Sequence, residues 1–212
     1  MLMKKSLLIG SIGIIVITTI LIGYSFFKAN ILYYFDRHNG AIVLGEKDKI
    51  QNMLSIEKDK ISSPESYVVK VSTIDEKKIL FLSKDTAEKL NKKDMLRTVK
   101  EEKVDGGMRV HTDPLNELPA VPADKGILFA REDLKAGAMK GLDSEQKMPI
   151  EYKGDLIIGS GSRFPVDASI VVVSDTAFSS VKASEYQLSL FIRNGEIRVS
   201  DQIDYNNIVM KP

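Results

Sequence analysis

The stretch "ILFAREDLKAGAMKGL", residues 127 to 142, decides between two folds. It opens with an apolar run that is a strand in both interpretations. An amphipathic helix over 132–142 would carry Gly137 in its interior and Gly141 near its end, each costing about 1 kcal/mol relative to alanine. A tight turn at 135–137 instead uses Gly137 where a positive φ is favoured. We therefore predict a turn followed by a returning strand, with the helix as the alternative.

A similar pattern occurs at two other places in the chain. "ILFLSKDTAEKLNKKDML" begins at Ile79 and "VVVSDTAFSSVKAS" begins at Val171. In each case a short apolar run is followed by basic, acidic and small residues. A doubly wound sheet would need longer helical segments between its strands. The repetition therefore predicts small, duplicated β units that are separated by acidic turns.

Three further segments support a mainly β or α+β fold. Residues 67–74 are typical of a strand, and "YQLSLFIRNGEIRV" (186–199) alternates around Asn194-Gly195, the dipeptide of a type I′ hairpin. Residues 46–61 predict one helix, because apolar residues recur on one face with a single polar break. That face consists of Ile50, Met53, Leu54, Glu57 and Ile61.

Composition excludes several classes of function. The chain has 30 lysines and arginines against 29 aspartates and glutamates, a net charge of +1, so no nucleic-acid partner is expected. It has no cysteine, which excludes disulfides, thiolate metal sites, a cysteine nucleophile and a lipid anchor on cysteine. The two histidines, His38 and His111, are too few for a histidine-rich metal site. We expect neither a metal nor a cofactor.

The N-terminus predicts a membrane anchor. "SLLIGSIGIIVITTILIGYSFF", residues 6–27, carries no charge. As a helix it would reach roughly 33 Å, enough to cross a hydrocarbon core of about 30 Å. Lys4 and Lys5 precede it and favour a cytoplasmic N-terminus. A cleavable signal peptide is the alternative, but its apolar region would be shorter and Phe27 is bulky for an A-x-A-like site ending at Ala29.

These patterns divide the chain into four predicted segments. Residues 1–5 form a cytoplasmic N-terminus and 6–27 a transmembrane helix. Residues 28–66 form a membrane-proximal segment with one helix, and 67–212 form a β-rich region. The predicted location is the bacterial inner membrane, crossed once, with the C-terminal region outside the cytoplasm.

The sequence contains no strong catalytic signature. "HTDP" (111–114) lacks a partner serine motif and is interpreted as a loop. "GSGSR" (159–163) lacks the features of a P-loop or a nucleophile elbow and is interpreted as a hairpin loop. Arg131 and Asp133, beside the predicted turn, are interpreted as an internal ion pair, and binding of a glycan or a carboxylate is the alternative. We predict that the protein is not an enzyme.

The residues around the predicted turn resemble the signature of the SAF domain. In that signature a strand leads into an Ala-Arg-Asp-(Ile/Leu)-x-x-Gly turn and a second short strand. Glu132 stands here as a one-residue insertion, and the matching residues are Ala130, Arg131, Asp133, Leu134 and Gly137. "RFPVDAS" (163–169) and "EYQLSLFI" (185–192) are similar to segments of the CpaB/RcpC proteins, membrane proteins of Flp/Tad pilus assembly machines.

The resemblance implies an SAF-like module with the β-clip fold outside the cytoplasm. Its function would be assembly or scaffolding in a pilus or secretion system, by protein binding. Arg131, Asp133 and Gly137 are the candidate binding residues. The implied partners are other proteins of an envelope complex, and self-association is left open. The alternative is a membrane-anchored binding protein, such as an immunity or inhibitor protein.

Overall fold

The computed structural model describes residues 39–74, 76–104, 107–160, 164 and 168–210. These residues belong to one compact unit, Asn39–Pro212. Among them, no helix combines the length and apolar character needed to cross a bilayer. The predicted transmembrane segment, residues 6–27, lies outside the described residues.

The described part of the chain contains eleven strands and four α-helices, which confirms the α+β class. The strands are β1 (Gly40–Gly45), β2 (Ile61–Ile74), β3 (Lys77–Ser83), β4 (Leu96–Val104), β5 (Gly107–Pro114), β6 (Gly126–Phe129), β7 (Ile150–Tyr152), β8 (Leu156–Ile158), β9 (Ser169–Val173), β10 (Ser184–Arg193) and β11 (Asp204–Ile208). The helices are α1 (Lys47–Ile56), α2 (Lys84–Lys92), α3 (Glu132–Gln146) and α4 (Asp175–Ser180).

The strands form two sheets. The larger sheet has eight strands in the order β11-β1-β10-β2-β3-β9-β6-β7, and the smaller has three in the order β5-β4-β8. The pairs β3/β9 and β6/β7 are parallel, and the other pairs are antiparallel. Because β1 lies inside the large sheet, the boundary predicted between residues 66 and 67 does not divide this unit.

Alternating side chains of the large sheet build separate cores on its two faces, as the two-residue period of a strand requires. Leu80 and Leu82 pack in the largest cluster, which includes Leu96, Leu156 and Ile158 from the small sheet. Their neighbours in β3 pack instead in a cluster that includes the apolar residues of α3. A third cluster places α1 against β1 and β10.

The predicted turn at 135–137 is wrong, because these residues lie inside the helix α3. Leu134, Ala138 and Leu142 are buried at four-residue spacing, and this burial outweighs the helix-propensity cost of two glycines. A Cβ atom on Gly141 would stand 2.1 Å from Ile74 Cγ2. That glycine therefore permits close helix-to-sheet packing instead of a positive φ.

The repetition in the sequence corresponds to three strand-then-helix units, β3–α2, β6–α3 and β9–α4. The segments predicted to be acidic turns are helix N-termini. The Ser83 hydroxyl accepts a hydrogen bond from the Thr86 N–H at 3.2 Å, and the Ser174 hydroxyl accepts one from the Ala177 N–H at 3.2 Å. These serines are the N-caps that start α2 and α4.

The predicted helix over 46–61 is confirmed as the shorter α1, followed by a 3-10 turn at Lys58–Lys60. Its polar break, Glu57, is itself only 5% exposed. The Glu57 carboxylate pairs with Lys60 Nζ at 2.8 Å and accepts the Arg198 backbone N–H at 3.3 Å. Both contacts satisfy the charge where the chain leaves the helix.

The hairpin predicted around Asn194-Gly195 is wrong. Gly195 has the expected positive φ of 100°, but β10 ends at Arg193 and its partners are β1 and β2. The next strand along the chain, β11, pairs with β1. Strands from the beginning of the unit therefore occupy both sides of β10.

Candidate functional site

A cleft of about 580 Å³ opens where α3 begins. Four elements form it: β4, the N-terminus of α3, the end of β7, and the connection between β7 and β8. The lining residues are Val99, Arg131, Glu132, Asp133, Tyr152 and Asp155. We call this feature the α3 cleft.

Arg131 and Asp133 form a bidentate ion pair inside the α3 cleft. Arg131 Nε lies 2.5 Å from Asp133 Oδ1, and a terminal guanidinium nitrogen lies 2.6 Å from Oδ2. The guanidinium holds the pKa of the Asp133 carboxyl below its ordinary value. The internal ion pair weighed from the sequence is therefore present, and it fixes the planar guanidinium in one orientation.

Tyr152 forms another wall of the α3 cleft. Its hydroxyl lies 3.1 Å from both the Ala130 carbonyl oxygen and a Glu132 carboxylate oxygen. Burial, with Glu132 nearby, raises the pKa of the Tyr152 hydroxyl. Lys135 Nζ sits 4.3 Å from the centre of the Tyr152 ring, a cation–π contact, and 3.3 Å from Glu132. Tyr152 is therefore contacted at its hydroxyl by Ala130 and Glu132 and on its ring by Lys135.

The chemistry of the lining suits binding. Its described residues present three carboxylates, one guanidinium, a phenol and a valine. Among the described residues, no group of three or more histidines, cysteines or acidic side chains could hold a metal ion. The arrangement offers charged hydrogen-bonding groups beside an apolar wall.

Gly137, the third predicted binding residue, is not among the described residues that line the α3 cleft. Gly137 lies one turn further along α3 and lines a different cavity of about 130 Å³, which it shares with Asp133. A Cβ atom on Gly137 would meet nothing within 4 Å. Gly137 therefore has no contact that requires a glycine.

The sequence patterns did not indicate that Val99, Tyr152 and Asp155 belong to the site. These residues are brought together by the pairing of β4 with β8, in which Arg97 stands opposite Ile157 and the Val99 N–H donates to the Asp155 carbonyl at 3.2 Å. No local pattern in the sequence predicts the pairing of β4 with β8, because the two strands are far apart along the chain.

Beyond β8, the strands β4 and β5 continue as a two-stranded ribbon, residues 99–104 and 107–112. In the described residues, β8 pairs with β4 only at Leu96–Thr98. Val110 stands opposite Glu101 and is 56% exposed, on the face that also carries Val99. One face of the ribbon therefore continues the wall of the α3 cleft.

"HTDP", predicted to be a loop, is the end of β5. Lys100 Nζ pairs across the ribbon with the Asp113 carboxylate at 2.9 Å, and this ammonium lowers the pKa of the Asp113 carboxyl. "GSGSR" is described only at Gly159 and Ser160. None of the described residues of these two segments lines the α3 cleft.

Comparison with protein families identifies the chain. The model of an uncharacterised lipoprotein family matches residues 38–209. The chain belongs to this lipoprotein family. Its fold is similar to the 1.5 Å crystal structure of a candidate lipoprotein from Bacillus anthracis, with 25% identity and a TM-score of 0.64 over 82% of this chain and 99% of that chain. No curated protein matches it.

Membership in the lipoprotein family corrects the resemblance to SAF and CpaB/RcpC proteins, which is wrong. Arg131 and Asp133 begin a helix and do not form a β-clip turn. Most of the segment "RFPVDAS" falls outside the described residues, which include only Phe164, Ala168 and Ser169 of it.

Membership also corrects the predicted location. A lipoprotein family indicates a membrane-associated envelope protein, which overturns the assignment to a single-pass protein of the inner membrane.

Proposed function

We propose that this lipoprotein-family member is an envelope protein that assembles with another protein, using the α3 cleft and the adjoining ribbon as its binding surface. Its role is assembly or scaffolding, and it acts by binding and not by catalysis. The observation that supports the proposal is the continuity of the ion-paired cleft with a ribbon face that leaves Val110 56% exposed. A pilus role depended on the SAF resemblance and is not part of the proposal.

The side chains of the α3 cleft suit a protein interface. Arginine and tyrosine are enriched in such interfaces, where a desolvated centre is surrounded by polar groups. Arg131 and Tyr152 are already held by Asp133 and Glu132. A partner would therefore order few side chains on binding, and this lowers the entropic cost of association.

The proposal is tested by capturing the tagged, detergent-solubilised full chain from its own host and quantifying co-purified proteins by mass spectrometry. The variant Asp133→Lys places a second cation beside Arg131 and should reduce recovery of a specific partner by at least about tenfold. Asp59→Lys, which makes the same change of charge at an exposed carboxylate outside the cleft, is the matched control. Equal recovery from Asp133→Lys and wild type, with both folded by circular dichroism, would contradict the proposal.

A further inference from the structure

The backbone of β4 has an edge that no described strand covers. The Leu115 N–H donates to the Leu96 carbonyl at 2.8 Å, so even-numbered residues of β4 direct their backbone groups toward β5. Odd-numbered residues direct theirs toward the β8 side, as the Val99 N–H does. By the same alternation, the N–H and C=O groups of Glu101 and Lys103 point to the β8 side of β4. The pairing of β8 with β4 covers only Leu96–Thr98, so β8 does not reach these groups.

The chain that precedes β8 turns away from the backbone groups of Glu101 and Lys103. Asp155 directly precedes β8, and its carbonyl accepts a hydrogen bond from the Val99 N–H of β4. Gly154, with a φ of 106°, then directs the chain away toward Tyr152 and β7. The open edge of β4 therefore begins at the mouth of the α3 cleft, beside Asp155.

On the opposite edge of the ribbon, one backbone carbonyl, that of Thr112, is covered by a charged side chain. A terminal nitrogen of Arg97 donates to the Thr112 carbonyl at 2.6 Å, and Arg97 Nε donates to the Thr112 hydroxyl at 3.1 Å. Charged side chains placed over an edge are a common defence against unwanted strand pairing. The equivalent groups at Glu101 and Lys103 have no such cover from a described side chain. An isolated two-stranded ribbon is marginally stable in water and gains from a third strand.

We infer that an extended segment of a partner protein pairs with the open edge of β4 and places a lysine or arginine in the α3 cleft. This inference rests on the proposed function and names the partner's chemistry. The charge of the cleft favours a basic segment, because the three carboxylates among its described lining residues outnumber the two cations beside them, Arg131 and Lys135. An apolar side chain of the segment contacts Val99, while its main chain bonds the strand edge.

Two synthetic probes test the inference on the detergent-solubilised full chain. The basic peptide is acetyl-Thr-Lys-Val-Lys-Val-Lys-Thr-amide, and the matched acidic peptide replaces each lysine with glutamate. The basic peptide should bind at least about tenfold more tightly and should slow amide hydrogen exchange at residues 101 and 103. Equal affinity for the two peptides, or binding that leaves those amides unprotected, would overturn the inference.

Two variants locate the contact. Glu101→Pro removes an N–H that points away from β5, so the β4–β5 ladder keeps its hydrogen bonds while the open edge loses a donor. Asp155→Asn removes one carboxylate of the cleft, and Asp59→Asn is its control. Each of the first two should weaken the basic peptide by at least about fivefold, and unchanged affinity in both would overturn the inference.

The two proposals can fail separately. If the full chain captures a partner that depends on Asp133 while neither peptide binds, the strand-addition inference falls and the proposed function stands. If the capture itself is insensitive to Asp133→Lys, the proposed function falls as well.

Discussion

Gly141 of α3 lies so close to Ile74 of β2 that a Cβ atom on the glycine would stand 2.1 Å from Ile74 Cγ2. The contact fixes the distance between the helix and the large sheet. We expect Gly141→Ala to lower the free energy of unfolding by about 1 to 2 kcal/mol, because overpacking outweighs the gain in helix propensity. Chemical denaturation would measure it.

The same helix offers a matched control at Gly137. A Cβ atom there meets nothing within 4 Å and the residue is exposed. Gly137→Ala should therefore raise the free energy of unfolding by about 1 kcal/mol through helix propensity alone. Opposite signs for these two substitutions would confirm that α3 is a helix packed through Gly141. A loss at both positions would favour the tight turn instead.

Serine caps should contribute measurably to stability. Ser83→Ala removes the acceptor for the Thr86 N–H, and we expect a loss of about 1 kcal/mol in the free energy of unfolding. Ser83→Asp keeps an acceptor and should retain most of the stability. An alanine variant as stable as wild type in urea would show that the cap contributes nothing.

Stability at acidic pH should depend on Glu57. The hydrogen bond from Lys60, followed by the backbone N–H of Arg198, lowers the pKa of the Glu57 carboxyl below its ordinary 4.5. A lowered folded-state pKa means that the contribution is present above the ordinary pKa and is lost as the pH falls through the folded value.

The variant Glu57→Gln tests this dependence. It should be less stable than wild type at neutral pH, and the difference should shrink as the pH falls below 4.5. Urea denaturation at a series of pH values measures both. A difference that is constant with pH would show that the charge of Glu57 plays no part.

Local patterns were enough to locate several elements. The buried face of α1, Ile50 and Met53, follows from helical spacing, and the strand over 67–74 is part of β2. The repetition was also detected, but its acidic segments were taken for turns. Ser83 and Ser174, each accepting from the N–H three residues later, were the available signal that helices begin there.

The remaining errors concern contacts between distant segments. The cost of Gly141 in a helix is visible in the sequence, but its contact with Ile74 is not. Gly195 has the positive φ that its dipeptide favours, yet β1 and β2 occupy both sides of β10. The α3 cleft likewise depends on the pairing of β4 with β8, so only Arg131 and Asp133 could be predicted from local sequence.

The most direct test of the account is photo-crosslinking in the host's own cells. A photoreactive amino acid replaces Val110, on the ribbon face beside the α3 cleft, or Ile56, a control that is 67% exposed on α1. We predict a discrete crosslinked protein from position 110 that weakens when Asp133→Lys is added, and none from position 56. The same adducts from both positions, or no adduct from position 110, would contradict the assignment of this surface as the binding site.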